Sequence, residues 1–213
     1  MTAHLSRITA YVSMHPQYAA AAVFLLAFSE AVPIIGTVVP GSTLIVAVSA
    51  LAIEAEISPW LLLVAAIMGA IVGDGASFWL GRRCHREILQ RWPLNQFPKL
   101  IARSEAFFNR YGGASVFLAR FTAVVRAFVP LIAGIVRMPA RQFYVANVLS
   151  ALVWAPAHVF PGVVFGLLVS LAGARPEQIF VLAVAAMLLG VGLFRMVRYF
   201  YKRGAHGDPG SAE

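Results

Sequence analysis

Long stretches without a charged side chain constrain this chain more than any other feature of its sequence. Residues 31–53 and 142–172 contain no Asp, Glu, Lys or Arg, and residues 57–80 contain only Asp74. About 20 apolar residues in a helix cross the hydrocarbon core of a bilayer, which is ~30 Å thick. A core helix of a soluble protein would show a polar face, and these stretches show none. We therefore predict an all-α polytopic membrane protein.

The charged residues cluster beside the apolar stretches. The chain is 60% hydrophobic and 12% charged, with a net charge of +8. Clusters of Lys and Arg next to membrane segments are typical of cytoplasmic links, and they attract anionic lipids. This position favours anionic membrane lipids as partners and argues against nucleic acid. The two clusters comprise Arg82, Arg83, Arg86, Arg91, Lys99, Arg103 and Arg110, then Arg195, Arg198, Lys202 and Arg203.

The basic clusters fix the predicted topology. We place residues 82–110 on the cytoplasmic side as an amphipathic loop, with a surface helix over 93–110, and the C-terminus on the same side. We predict an N-terminal surface segment at residues 1–17, the membrane domain at 18–203 and a disordered tail at 204–213. Spanning helices are predicted at about 58–81, 142–172 and 178–200. Because residues 113–136 then have both ends inside, they are predicted to form a re-entrant hairpin.

Two apolar segments contain residues that interrupt a helix. Pro33, Pro40 and Gly41 lie in residues 18–52, and Pro130 and Gly134 lie in residues 113–136. Each segment precedes a predicted spanning helix, which is the pattern of an inverted-repeat transporter. The predicted fold is therefore a helical bundle with two opposed re-entrant hairpins, whose broken segments meet at the substrate site.

Four charged residues are predicted to lie at membrane depth: Glu30, Asp74, Arg120 and Arg126. Each charge costs ~2.5–3.5 kcal/mol at the centre of a membrane helix, so the four must be paired or hydrated. Two acids and two bases sum to zero. They form either a structural cluster of ion pairs or a polar site for an anionic headgroup. Guanidinium groups suit the second reading because they bind phosphate in a two-pronged manner.

In these residues the chain resembles the DedA family of VTT-domain membrane proteins. The resemblance extends from about residue 28 to 166, and it rests on the order and spacing of its motifs. These are Glu30 with Pro33, Pro40-Gly41, Gly73-Asp74, Gly81-Arg82, Phe108, Tyr111-Gly112, Arg120-Phe121, Arg126, Gly134, Phe143, Asn147 and Trp154.

The resemblance implies a protein of the bacterial inner membrane that translocates lipid, with undecaprenyl phosphate or a phospholipid as substrate. It also implies functional roles for Glu30, Arg120 and Arg126. The chain departs from the family at Ser42, where an acid usually follows Pro-Gly, and at Ala123, where a proline is usual. We include Ser42 and Asp74 among the substrate-binding candidates. The missing acid favours a scramblase that is not coupled to protons, unless Asp74 substitutes for it.

Several function classes remain open at this point. We favour a flippase or scramblase that binds a lipid phosphate headgroup; a non-catalytic membrane-homeostasis scaffold and a proton-coupled small-solute transporter are the alternatives. An enzyme acting on lipid phosphates is disfavoured, because the five histidines form no catalytic set. No cluster has the spacing of metal ligands, so no metal or cofactor is predicted. Small-residue stripes indicate close helix packing within the chain or in a homo-oligomer; they are Gly69, Gly73, Ser77 and Gly81, then Gly162, Gly166 and Ser170.

Overall fold

The computed structural model of the chain describes residues 15–33, 35–38, 40–90, 94–122, 125–171 and 173. Every regular element among them is a helix, in agreement with the all-α prediction. The predicted third spanning helix at 178–200, the N-terminal segment 1–14 and the tail 204–213 lie outside the described residues.

The helix in the first apolar segment, residues 18–52, is interrupted at the prolines, as predicted from the sequence. Helix α1 (Pro16–Ala31) ends before Pro33, and Val32 takes the extended conformation that a following proline favours. A single short turn, α2 (Ile35–Val38), precedes Pro40, and α3 (Gly41–Glu54) begins directly after it. At 1.5 Å per residue, α1 is ~24 Å and α3 ~21 Å long, and both are shorter than a bilayer core.

Two longer helices have the length and composition of membrane spans. Helix α4 (Pro59–Cys84) has 26 residues and α8 (Ala140–Leu171) has 32, and both are apolar enough to cross a bilayer. Both expose large apolar side chains along their length, among them Val64 and Met68 of α4 and Leu152 and Leu168 of α8. An exposed apolar surface this extensive is typical of contact with lipid.

The contacts between helices establish their relative directions. Helices α1 and α4 run parallel, because Phe24, Phe28 and Ala31 meet Gly69, Gly73 and Ser77 in the same order. Helices α3 and α8 are also parallel, since Val46 and Ala50 meet Gly162 and Gly166. Helices α4 and α8 are antiparallel, with Ile71 opposite Asn147 and Phe78 opposite Phe143. It follows that α1 and α3 are antiparallel and that the chain reverses between residues 31 and 41.

The small-residue stripes pack helices within this one chain. A methyl group at Gly69 or Gly162 would overlap a backbone carbonyl oxygen of α1 or α3, respectively. Ser77 donates a hydrogen bond of 3.2 Å to the Ala31 carbonyl. Glycine therefore lets whole backbones approach each other, as in other tightly packed membrane helices.

The second interrupted segment contains two short helices, α6 (Ser115–Ala119) and α7 (Val129–Ile135). The described residues between them form no regular helix. Pro130 lies in the first turn of α7, where a proline is tolerated because its missing N–H would have no helical partner. Gly134 differs from our prediction: it lies inside α7, and its role is close packing, because a side chain there would overlap the Phe78 carbonyl of α4.

The basic loop folds onto the protein. Two short 3₁₀ segments, His85–Gln90 and Leu94–Gln96, precede helix α5 (Pro98–Tyr111). This helix begins five residues later than the predicted surface helix, because Leu94–Gln96 forms a separate turn and Pro98 begins a new helix. Ile101 on its apolar face is buried against a cluster that includes Phe128 and Leu131. That face of α5 thus packs on the second interrupted segment.

Candidate functional site

The first group of polar side chains, buried or partly buried, lies where α1 and α3 meet. Glu30 lies in the last turn of α1 and Ser42 in the first turn of α3, and Arg126 contacts both from the second interrupted segment. Arg126 Nη1 lies 2.7 Å from Glu30 Oε1 and 3.3 Å from Ser42 Oγ, and the Ser42 hydroxyl donates to Glu30 Oε1 over 2.6 Å. The side chains of Glu30 and Arg126 are 8% and 13% exposed. This ion pair therefore links the two broken segments away from solvent.

The second group connects the two long helices. Arg120, at the end of α6, donates through Nη2 to Asp74 of α4 and to Asn147 Oδ1 of α8, the latter over 2.6 Å. Asn147 in turn donates to the Ile71 carbonyl over 3.1 Å. Arg120, Asp74 and Asn147 are all buried. Burial of an ion pair is tolerated only when good geometry and further hydrogen bonds compensate the lost hydration.

Trp154 of α8 brings the two groups together. The guanidinium carbon of Arg126 lies 5.2 Å from the centre of its indole ring, and that of Arg120 lies 5.9 Å away. Trp154 is fully buried. Cation–π attraction is strongest when the partners are desolvated, at ~2 kcal/mol or more. Both arginines therefore face one aromatic surface in a cluster whose four charges sum to zero.

Each arginine holds its carboxylate through only one terminal nitrogen. The other guanidinium nitrogens form no hydrogen bond with the described residues, and Arg120 Nε is buried. Glu30 Oε2 is also buried without a hydrogen-bond partner among these residues. Buried polar atoms in folded proteins are nearly always satisfied, so such exceptions call for a functional explanation. Among the described residues, the cluster therefore retains N–H groups that can donate hydrogen bonds to an additional anionic oxygen.

Gly41 makes the first group sterically possible. A methyl group at this position would lie 2.8 Å from Glu30 Oε2 and 2.9 Å from the Leu26 carbonyl oxygen. Only a residue without a side chain lets the beginning of α3 approach the Glu30 carboxylate this closely. The Pro-Gly pair thus breaks the helix and leaves space for the buried acid.

The structure brings all five predicted site residues into these two groups: Glu30 and Ser42 with Arg126, and Asp74 with Arg120. Of the predicted helix-breaking residues, Pro33, Pro40, Gly41 and Pro130 flank the breaks, whereas Gly134 does not. Our candidate list missed Asn147 and Trp154. Asn147 could have been selected as a polar side chain within an uncharged span, where such groups form hydrogen bonds with neighbouring helices. Trp154 also lies far from either end of α8, where a role as an interface anchor does not fit.

The sequence of the chain is similar to those of known membrane proteins. Residues 39–164 match the VTT domain. The chain is 30% identical to inner membrane protein YabI of Escherichia coli K12 over 185 residues, which cover 85% of this chain and 72% of that protein. Protein DedA of the same strain is 31% identical over 153 residues, 68% of each chain. An uncharacterized membrane protein of Mycobacterium tuberculosis is 35% identical over 127 residues, 57% of this chain and 58% of its own length. No solved structure matches the chain.

Proposed function

This chain belongs to the DedA family of VTT-domain membrane proteins, and on that premise we propose that it moves a phosphate-bearing lipid across the bacterial inner membrane. It acts as a flippase or scramblase, with undecaprenyl phosphate or a phospholipid as substrate, and it leaves the lipid chemically unchanged. The observation that carries the proposal is the pair of arginines beside Trp154, of which Arg120 has a buried Nε without a hydrogen-bond partner among the described residues.

The proposed mechanism uses those remaining donors. The phosphate enters the cluster and accepts hydrogen bonds from Arg120 and Arg126, while the lipid tail stays in the hydrocarbon. Charge-assisted hydrogen bonds between guanidinium and phosphate are among the strongest in proteins. Glu30 and Asp74 compete with the phosphate for the arginines, so the headgroup is released when the ion pairs close again. This exchange avoids leaving an unpaired charge at depth.

The two interrupted segments are the elements that give the headgroup access. Helices α1 and α3 are antiparallel, and both are shorter than a bilayer core, so we propose that they form a re-entrant hairpin. We propose the same for residues 113–136, opposed to the first in an inverted repeat, with the C-terminus in the cytoplasm. The charge-balanced cluster then lies where the two hairpins meet, which is the usual place of a transporter site.

A liposome assay tests the proposal. The purified full chain is reconstituted with a fluorescent phosphatidylglycerol, and a membrane-impermeant quencher reports transfer between leaflets. We expect protein-dependent transfer of this lipid and none of a fluorescent glucosylceramide, whose headgroup lacks phosphate. Unlabelled undecaprenyl phosphate added as a competitor distinguishes the two lipid substrates. Equal transfer with and without a phosphate group would contradict a phosphate site.

The hairpin proposal predicts the accessibility of two exposed positions, Asn109 before the second segment and Val136 at its end. In a Cys84→Ala background, cysteines at Asn109 and Val136 should both react with an impermeant thiol reagent only from the cytoplasmic side. The measurement is labelling of intact and inside-out vesicles. Reaction from opposite sides would mean that residues 113–136 cross the membrane.

A further prediction concerns energy coupling, because Ser42 replaces an acid that the family usually carries. Transport coupled to protons needs a group that changes its protonation during the cycle, and Glu30 is held by Arg126 and Ser42. We expect transfer in liposomes to continue when an uncoupler collapses the proton gradient. Ser42→Asp places a second carboxylate beside Glu30, and since two adjacent carboxylates share a proton, the rate should become pH-dependent. Loss of wild-type transfer on uncoupling would indicate that Asp74 carries the proton.

One observation favours a second candidate function, a membrane-homeostasis scaffold without transport. Both arginines already have a carboxylate partner, so the cluster could serve only to hold four helices and the broken segments together. The liposome assay separates the two candidates, because a scaffold moves no lipid at all.

A further inference from the structure

A groove of about 550 Å³ runs along the surface between α6 and α8, separate from the buried cluster. Its sides are apolar, formed by Phe117 of α6 and by Val145, Ala146 and Leu149 of α8. The α8 side chains in the groove point away from the Asp74–Arg120 pair, which the neighbouring Asn147 contacts from the inner face of the helix. The groove is therefore a surface feature in its own right.

The groove lies on an exposed apolar face of α8. Val145 and Leu149 are 54% and 52% exposed, on a helix that is long and apolar enough to cross a bilayer. In a membrane, an apolar groove on such a face is filled by hydrocarbon rather than by water. From Arg141 to Leu149 it extends ~12 Å along the helix axis, which suits a section of an acyl chain.

One end of the groove is polar and positively charged. Arg141 and Gln142 line it at the beginning of α8, and neither side chain makes an ion pair or a hydrogen bond with the described part of the chain. The lining contains no acidic residue. The peptide N–H groups of the first helical turn add to the positive potential there. An occupant that complements both ends must be apolar along its length and anionic at its head.

We propose that this groove binds one anionic phospholipid, with its phosphate at Arg141 and an acyl chain between Phe117 and Leu149. The site differs from the transport cluster in its residues, in its exposure and in its single cation, which forms no ion pair with the described residues. The bound lipid lies between α6 and α8 and thereby links these two helices. The binding does not depend on whether the protein transports lipid, so the two proposals fail or succeed independently.

Native mass spectrometry of the purified full chain tests this site. The protein is released from mixed micelles that contain equal amounts of phosphatidylglycerol and phosphatidylcholine, and retained lipid is counted. We expect one retained phosphatidylglycerol per chain, preferred about fivefold over phosphatidylcholine, because an interfacial arginine contributes ~1 kcal/mol toward an anionic headgroup. Arg141→Gln should abolish this preference, and Ala146→Trp, which fills the groove, should remove the retained lipid.

Leu152→Trp is the matched control, since Leu152 is 48% exposed on the same helix but does not line the groove. It should retain lipid as the wild type does. If Ala146→Trp fails to fold, Leu149→Trp obstructs the same groove from a half-exposed position. The proposal is overturned if the wild type retains no lipid, if Arg141→Gln keeps the preference, or if the groove variants and Leu152→Trp behave alike.

Discussion

Arg126→Met is expected to lower the free energy of unfolding by about 3–5 kcal/mol, the usual cost of removing one partner of a buried ion pair. The physical reason is that Glu30 stays buried and loses its only cationic hydrogen-bond partner among the described residues. The measurement is thermal or denaturant unfolding of the detergent-solubilised protein. The double variant Glu30→Gln with Arg126→Met should recover most of the loss, because no unpaired charge remains.

Arg86→Met provides the control for this prediction. Arg86 forms an ion pair with Glu105 over 2.7 Å, but its side chain is 76% exposed. Exposed ion pairs contribute ~0–1 kcal/mol, so this variant should unfold close to the wild type. If Arg126→Met were no less stable than Arg86→Met, the Glu30–Arg126 pair would not be the buried link that we describe. The double variant also separates folding from transport: it should be stable and yet move no lipid.

Trp154→Ala should have the second large effect. A fully buried tryptophan replaced by alanine loses about 3–5 kcal/mol through the cavity that it leaves. Here the variant also removes the ring that both Arg120 and Arg126 face, so transport should fall more than stability alone explains. Trp154→Phe keeps an aromatic surface and should recover part of the transport rate. Unfolding in detergent and transfer in liposomes measure the two effects.

The control for Trp154 is Trp60→Ala. Trp60 is 67% exposed near the beginning of α4 and contacts the ring of Phe160 edge-on. Its removal leaves no buried cavity and touches neither arginine, so stability should change little. Normal transport by a folded Trp154→Ala protein would mean that the indole ring does not position the arginines.

The breaks in the helices could be predicted from the sequence because proline acts locally. Pro33 and Pro40 lack a backbone N–H and restrict the conformation of the residue before them, so their effect depends only on adjacent residues. Helix α1 therefore ends before Pro33, and α3 begins after Pro40. The prediction that Gly134 breaks a helix is wrong, because glycine, unlike proline, does not exclude the helical conformation. A glycine is needed at this position in α7 because the α4 backbone lies directly beside it, and this tertiary contact cannot be predicted from the local sequence.

The charge balance of the site could also be predicted from the sequence, but which acid pairs with which arginine could not. Two acids and two bases in apolar surroundings must compensate each other, and this follows from desolvation alone. Which acid meets which arginine depends on contacts across 96 residues for Glu30–Arg126 and 46 residues for Asp74–Arg120. The role of Trp154 could not be predicted for the same reason, since only the folded bundle places its ring beside both guanidinium groups.

The most direct test of the central claim is the transfer rate of fluorescent phosphatidylglycerol in liposomes with Arg120→Lys or Arg126→Lys protein. Lysine keeps the charge, and thus the compensation of Asp74 or Glu30, but it lacks the planar fork that binds carboxylate and phosphate together. Losing one charge-assisted hydrogen bond, worth ~1.5–3 kcal/mol, should slow transfer at least about tenfold while the protein stays folded. A wild-type rate in both lysine variants would contradict the account, because a generic positive charge would then suffice.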